Sequence, residues 1–209
     1  MRLRIAMTHS SRTHRILRWS RNAFLIIGVL ALGYCGYVLL DAKLYQADQA
    51  RSFHQELSNR EAATANAGDI SGVQATPDSG NALGRIEIDR LGVSAMILEG
   101  TDERTLRHAV GHVAGTPLPG HQGNAAIAGH RDTFFRPLRN IRHDDEIKVT
   151  TLDGSYRYLV DTTRVVEPED IQVLADSSDT ILTLVTCYPF YFVGPAPRRF
   201  IVRAHKIPG

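Results

Sequence analysis

Cys187 offers the most chemistry of any residue in this chain. It closes the apolar run Ile181-Leu182-Thr183-Leu184-Val185-Thr186 and is followed by Tyr188-Pro189. A proline cannot continue a central strand, so the thiol sits where a buried strand stops and a loop begins, rigidly held yet reachable. A thiol with a pKa of about 8.5 is mostly protonated at neutral pH and needs a basic or cationic neighbour before it attacks. His130, which ends the apolar run of residues 124–129, offers the base, and Arg198 and Arg199, which open the final strand, offer the cation. Together these types could supply an activated sulfur nucleophile: a thiol with a basic and a cationic neighbour that favour its thiolate.

The histidines also raise a metal reading. His108, His112, His121 and His130 fall close together, and His108 and His112 have helical i, i+4 spacing. Gly111 and Gly115 weaken that helix, however, no His-Glu-x-x-His or Cys-x-x-Cys pattern is present, and no acidic ligands cluster nearby. His112 and His121 are read instead as structural or groove-rim residues.

Strand ends meet only if the strands close on themselves. From Leu83 onward, short β-branched runs alternate with turn residues: residues 84–89, 93–98, 124–129, 146–151, 156–166, 180–187 and 199–205. Two of them alternate cleanly, Tyr156/Tyr158/Val160 against Arg157/Leu159/Asp161 and Arg199/Ile201/Arg203 against Phe200/Val202/Ala204. Seven or eight short strands, with brief helical stretches at 103–110 and 134–141, predict a mainly β domain over residues 83–209 that closes into a barrel and brings strand ends to one rim.

Upstream the chain changes character. Residues 41–82 read as a polar, helical stalk followed by a Gly/Ser/Pro-type linker from residue 68. Residues 23–40 are eighteen positions without a charge, a helix of roughly 27 Å, close to the thickness of a bilayer core. The basic tail, residues 1–22, carries six arginines and no acid, so the net charge of +2 leaves −4 for the remainder. Arginines gathered on one side put that side in the cytoplasm. The expectation is therefore a single pass through a cytoplasmic or inner membrane, with the barrel outside the cytoplasm. A cleaved signal peptide is the rival, but no small-x-small site closely follows Leu40. The acidic remainder gives no electrostatic footing for nucleic acid. Cys35 lies within the apolar run and cannot bridge to Cys187. An unpaired thiol in an exported domain is unusual, and this favours a reactive Cys187.

Three blocks now carry a resemblance. Residues 124–135 (NAAIAGHRDTFF), 183–187 (TLVTC) and 199–204 (RFIVRA) resemble those of sortases, with wording closest to class D, including Gram-negative types. The resemblance covers residues 83 to about 206, and the N-terminal anchor with its stalk also fits. It implies an eight-stranded barrel with a Cys/His/Arg site at one rim. It also implies cleavage of a Leu-Pro-x-Thr-type sorting signal after threonine, with transfer of the acyl group to an amine. Carried over residue by residue, Cys187 matches the nucleophile and His130 the general acid/base. Arg199, five positions before Ala204, matches the oxyanion-stabilising arginine, in preference to its neighbour Arg198. Thr186 is added as a substrate contact.

The implied partners are a secreted protein with a C-terminal sorting signal, an amine acceptor (a peptidoglycan precursor or a protein lysine) and the lipid bilayer. No cofactor is expected. Stimulation by a divalent cation would need a carboxylate cluster, and the adjacent Asp144, Asp145 and Glu146 read as a solvated turn. The competing readings are a Cys-His peptidase that hydrolyses without transfer and a non-catalytic, membrane-tethered β-module that binds peptide. An L,D-transpeptidase would want a Ser-x-Gly-Cys motif that residues 183–187 lack.

Overall fold

A computed structural model describes residues 10–66 and 80–208, with the side chains of the N-terminal helix described in part. Residues 68–79 of the expected linker, the last stalk residue before it, the first nine residues of the basic tail and Gly209 lie outside the described residues. The elements in chain order are α1 (Ser10–Asn66), β1 (Ala82–Ile88), β2 (Val93–Glu99), α2 (Glu103–His108), β3 (Val110–His112), β4 (Gly123–Gly129), β5 (Glu146–Thr151), β6 (Gly154–Val166), β7 (Thr180–Tyr188) and β8 (Arg198–Ile207).

The eight strands form a closed barrel in the order β1-β2-β3-β4-β7-β8-β6-β5. Closure gives every strand a neighbour on both sides, although β3 pairs over only three residues with β2 and two with β4, and a closed sheet is less open to edge-to-edge aggregation. The expected mainly β barrel is what the chain forms, and seven of its strands sit where the runs predicted them. The eighth, β3, was hidden: three residues are too few to show alternation. It forms because β2 pairs with it in parallel and β4 antiparallel. The helical stretch expected at 134–141 is a 3-10 turn over Arg136–Asn140, with Pro137 at its start. Five residues suit the tighter i→i+3 spacing better than an α-helix.

Alternation decides what fills the barrel. From β7 the inward residues are Leu182 and Leu184, from β8 Val202 and Ala204, and from β4 Ala125 and Ile127, all fully buried in one core with Phe135 and Tyr158. Burying a Leu or Ile side chain contributes about 1.5–3 kcal/mol, so this interior holds the fold together. Tyr158 donates no net charge there: its hydroxyl accepts from the Gly120 amide at 2.7 Å, and burial pushes its pKa up to about 12. The pairing of β6 with β8 slips between Val160 and Thr162. Asp161 is the extra residue, and past it the alternation predicted for β6 is reversed. The turn before β5 is also not simply solvated as expected. Asp145 is 7% exposed, forms a two-pronged ion pair with Arg90 and accepts from the Arg142 amide at 2.7 Å. The Arg90 guanidinium holds its carboxyl below the usual carboxylate range.

The chain divides into two compact units, residues 1–44 and 45–209. In the first, α1 presents apolar side chains on all sides, and Phe24, Ile27, Leu30 and Leu32 are each more than half exposed. Among the described residues no helix is long and apolar enough to cross a membrane; the side chains of Val38 and Leu39, inside the apolar run, lie outside the described set. In the second unit, the rest of α1 lies against β2. That strand is apolar on both faces: Ala95 and Ile97 point into the barrel, while Met96 and Leu98 point out. Phe53 of α1 covers the outer pair and is itself 4% exposed. The Gln46 side chain accepts from the Met96 amide at 3.0 Å and donates to the His108 carbonyl.

Candidate active site

Two ladders bring the sequence-predicted residues to one rim. In the antiparallel pair of β7 and β8, Cys187 stands opposite Arg199, and Tyr188 opposite Arg198. Directly opposed residues share a face, with Cβ atoms about 4.5–5.5 Å apart. Arg199 is thus beside the thiol on the outer face of the barrel. Arg198 points to the other face, where it forms an ion pair with Glu167 at 3.3 Å. In the parallel pair of β4 and β7, Gly129 stands opposite Thr186, so His130 leaves β4 at the level of Cys187. Cys187, His130 and Arg199 are all partly exposed, as reacting groups must be.

Each group is held differently. Arg199 donates through Nη1 to the Ala196 carbonyl at 3.2 Å and to the Arg198 carbonyl at 3.0 Å, which leaves its other N–H groups available. Cys187 is held on one side by the next-to-last rung of the β7–β8 ladder and lies just past the last rung of the β4–β7 ladder. His130 is fixed by backbone: its carbonyl accepts from the Phe135 amide at 3.1 Å. Gly129 beneath it is glycine for a steric reason, since a Cβ there would stand 2.6 Å from the Phe135 ring. Thr186, expected as a substrate contact, is 2% exposed on the inner face. Its hydroxyl donates to the Gly129 carbonyl at 2.7 Å. That hydroxyl ties the two strand ends that carry Cys187 and His130, and it is turned away from the outer surface.

On the outer face of the same strands, Ala128, Val185 and Ile201 lie one rung from Cys187, and Thr183 and Arg203 lie two rungs away. Four residues of strand place Thr183 about 13 Å from Cys187. A cavity of about 470 Å³ opens there, lined by Thr183, Ile201, Arg203, Arg164 and Gln172 among others. The connection from β6 to β7 walls this end. It is held by Asn124, which accepts from the Thr183 hydroxyl at 2.6 Å and donates to the Val173 and Ala175 carbonyls at 3.0 and 3.1 Å. Sequence reading missed this role, although a polar Asn heading an otherwise apolar run was the signal for it.

The other histidines go elsewhere. His112 is inside the barrel, 3% exposed, with Nδ1 2.7 Å from a Glu99 carboxylate oxygen. His108 lies in α2 with its ring 4.7 Å from Tyr45, and His121 sits in the loop before β4. Among the described residues no three His, Cys, Asp or Glu side chains gather as metal ligands would. Asp144, Asp145 and Glu146 diverge, pairing with His143, Arg90 and Arg157 respectively.

With the site in view, the comparisons are informative. Residues 86–207 match the sortase domain family. Sortase D of Bacillus subtilis is 31% identical over 189 residues, covering 86% of this chain and 93% of the relative. Among solved structures, a Clostridium perfringens sortase D5 transpeptidase superposes with a TM-score of 0.64 at 27% identity, over 78% of this chain and 99% of that one. A lid mutant of Corynebacterium diphtheriae sortase A gives a TM-score of 0.59 at 27% identity, over 76% and 95%.

Proposed function

This chain belongs to the sortase family, and on that premise we propose that it is a class D-like cysteine transpeptidase that cleaves a Leu-Pro-x-Thr-type sorting signal after threonine. The observation that carries the reading is the Cys187–Arg199 cross-strand pair on the outer face, level with His130 at the end of β4. The Cys187 thiolate attacks the threonine carbonyl, and the carbonyl electrons move to oxygen. Arg199 meets that oxyanion with charge-assisted hydrogen bonds. His130, as imidazolium, gives its proton to the departing amine as the C–N bond breaks, leaving a thioester. Neutral His130 then takes a proton from the incoming amine, which displaces sulfur and returns the thiolate. The outer-face rungs of Ala128, Val185 and Ile201 next to the thiol suit an extended peptide, whose residues repeat about every 3.3 Å.

The partners that go with this reading are a secreted protein ending in the signal and an amine on a peptidoglycan precursor or a protein lysine. Residues 23–40 serve as a membrane anchor, with residues 1–22 in the cytoplasm and the barrel outside it. Support comes from the charge asymmetry and from an eighteen-residue uncharged run whose described apolar side chains are exposed, a composition that calls for an apolar medium.

The test is a peptide library presented to the full-length chain in detergent, with and without an amine acceptor. Cleavage after threonine, with the amine captured in the product, is expected. A product that is only the free acid whatever amine is added would make the protein a hydrolase, and no cleavage anywhere in the library would defeat the reading. The anchor predicts fractionation with membranes at full length; a shortened soluble form would overturn it.

A further inference from the structure

Of the three groups at the rim, His130 is the least constrained. Cys187 and Arg199 are rungs of one ladder, whereas His130 stands just past the end of β4, and among the described residues no hydrogen bond orients its imidazole. The next residue, Arg131, reaches across the site. Its Nη2 donates to the Phe192 carbonyl at 2.8 Å and to the Gly194 carbonyl at 2.9 Å. Its guanidinium carbon also lies 5.9 Å from the centre of the Phe192 ring. Phe192 and Gly194 belong to the loop joining Cys187 to Arg199. The tip of that loop is bare, with Tyr191 76% and Val193 94% exposed. For residues 191–194, these two bonds are the described side-chain hydrogen bonds that tie the tip to the barrel.

We propose that Arg131 is a positioning residue: it clamps the β7–β8 loop to the end of β4, so that His130 is carried at a fixed place relative to Cys187 and Arg199. The inference rests on the transpeptidase reading above. The geometry is a pincer. One side of the loop is covalently continuous with the nucleophile and the oxyanion donor, and the other is bonded to the residue that follows the acid/base. A planar guanidinium suits this work, because one nitrogen can serve two carbonyls while the flat face packs on a ring. Stability alone does not account for the arrangement, since Nη1 of Arg131 is buried without a partner, and a buried unpaired N–H is unfavourable.

The experiment uses the full-length chain, the library-selected Leu-Pro-x-Thr peptide, and iodoacetamide as a probe of the thiol. General acid–base catalysis contributes about 10²- to 10⁴-fold, so a mispositioned imidazole in Arg131→Ala should lower kcat about 10- to 100-fold. KM should stay within about threefold and the Cys187 alkylation rate within about twofold, because the outer-face rungs and the β7 ladder are untouched. Arg131→Lys keeps the charge without the fork and should remain roughly tenfold down. Arg139→Ala removes only a stacking partner of exposed Tyr191, 5.5 Å away, and should cost less than about threefold. A kcat for Arg131→Ala equal to the parent overturns the proposal, as does a loss of kcat matched by equal losses in alkylation rate and melting temperature. If Cys187→Ala still turns over, the transpeptidase reading fails. If Cys187→Ala is dead and Arg131→Ala is normal, only the clamp fails.

Discussion

The inner and outer faces of β4, β7 and β8 are made by alternate residues of the same three strands, yet the barrel interior and the outer rim do different chemistry. Inward point Ala125, Ile127, Leu182, Leu184, Val202 and Ala204, all without exposure. At the rim Cys187 and Arg199 point outward and His130 stands just past the end of β4, each partly open to solvent. The lesson is a division of labour at the smallest scale a strand allows. The interior supplies stability through buried area, and the exterior supplies reactive groups that add little to it. The backbone between them lets one face fix the other's geometry. Thr186 is where the two meet, an inward hydroxyl that ties the Gly129 carbonyl and so holds two outward neighbours level.

The strongest way to break this contrast is Cys187→Ala, which should lower turnover on the order of 10⁴- to 10⁶-fold. The melting temperature should barely move, since a half-exposed thiol contributes little packing; calorimetry beside a peptide assay checks both. If melting fell as far as activity, the outer face would be structural after all. Next in size is the arginine pair. Arg199→Lys loses the planar fork facing the oxyanion and should cost about 100- to 1,000-fold in turnover. Arg198→Lys, on the opposite face with Glu167, should cost well under about tenfold. Equal losses would show that the cross-strand register does not decide which guanidinium serves.

The inner face gives the reciprocal result. Leu184→Ala should destabilise by about 2–5 kcal/mol, a Tm drop of roughly 2–4 °C for each. Activity well below the new melting point should stay within about threefold, by the same division of labour. Smallest is Asp145, whose pair with Arg90 fastens the turn before β5 far from the chemistry. Its folded pKa is depressed, so its contribution is present above the unfolded value of about 3.9 and is lost as pH falls through the folded pKa. Asp145→Asn should therefore lower stability by about 1.5–3 kcal/mol at neutral pH. The gap to the parent should close on acidification below about pH 4. A gap that stayed constant with pH would mean the ion pair is not its source.

Much of this was legible beforehand, and the reason is local. Period-two alternation in β7 and β8 marks the two faces wherever the strands pair, and Pro189 marks where β7 must end. The preference for Arg199 over Arg198 came with the family resemblance, which sets the arginine five positions before Ala204; the register places Arg199 opposite Cys187. The Cys, His and Arg types and their flanking motifs carried the family resemblance, which the comparisons support across most of the chain.

What the sequence by itself determined were the properties written into neighbouring residues: strand positions, faces, the apolar run upstream, and the residue types at strand ends. Only the tertiary structure decided what depends on partners far along the chain. β3 exists because β2 and β4 flank it. Thr186 turns inward because its strand has that phase against β4. Asn124, Arg131 and the Glu99–His112 pair find their roles across separations of 13 to 63 residues. The backbone repeats its geometry every two residues, so a face can be read locally. A hydrogen bond between distant side chains depends on how the barrel closes, and no local pattern records it.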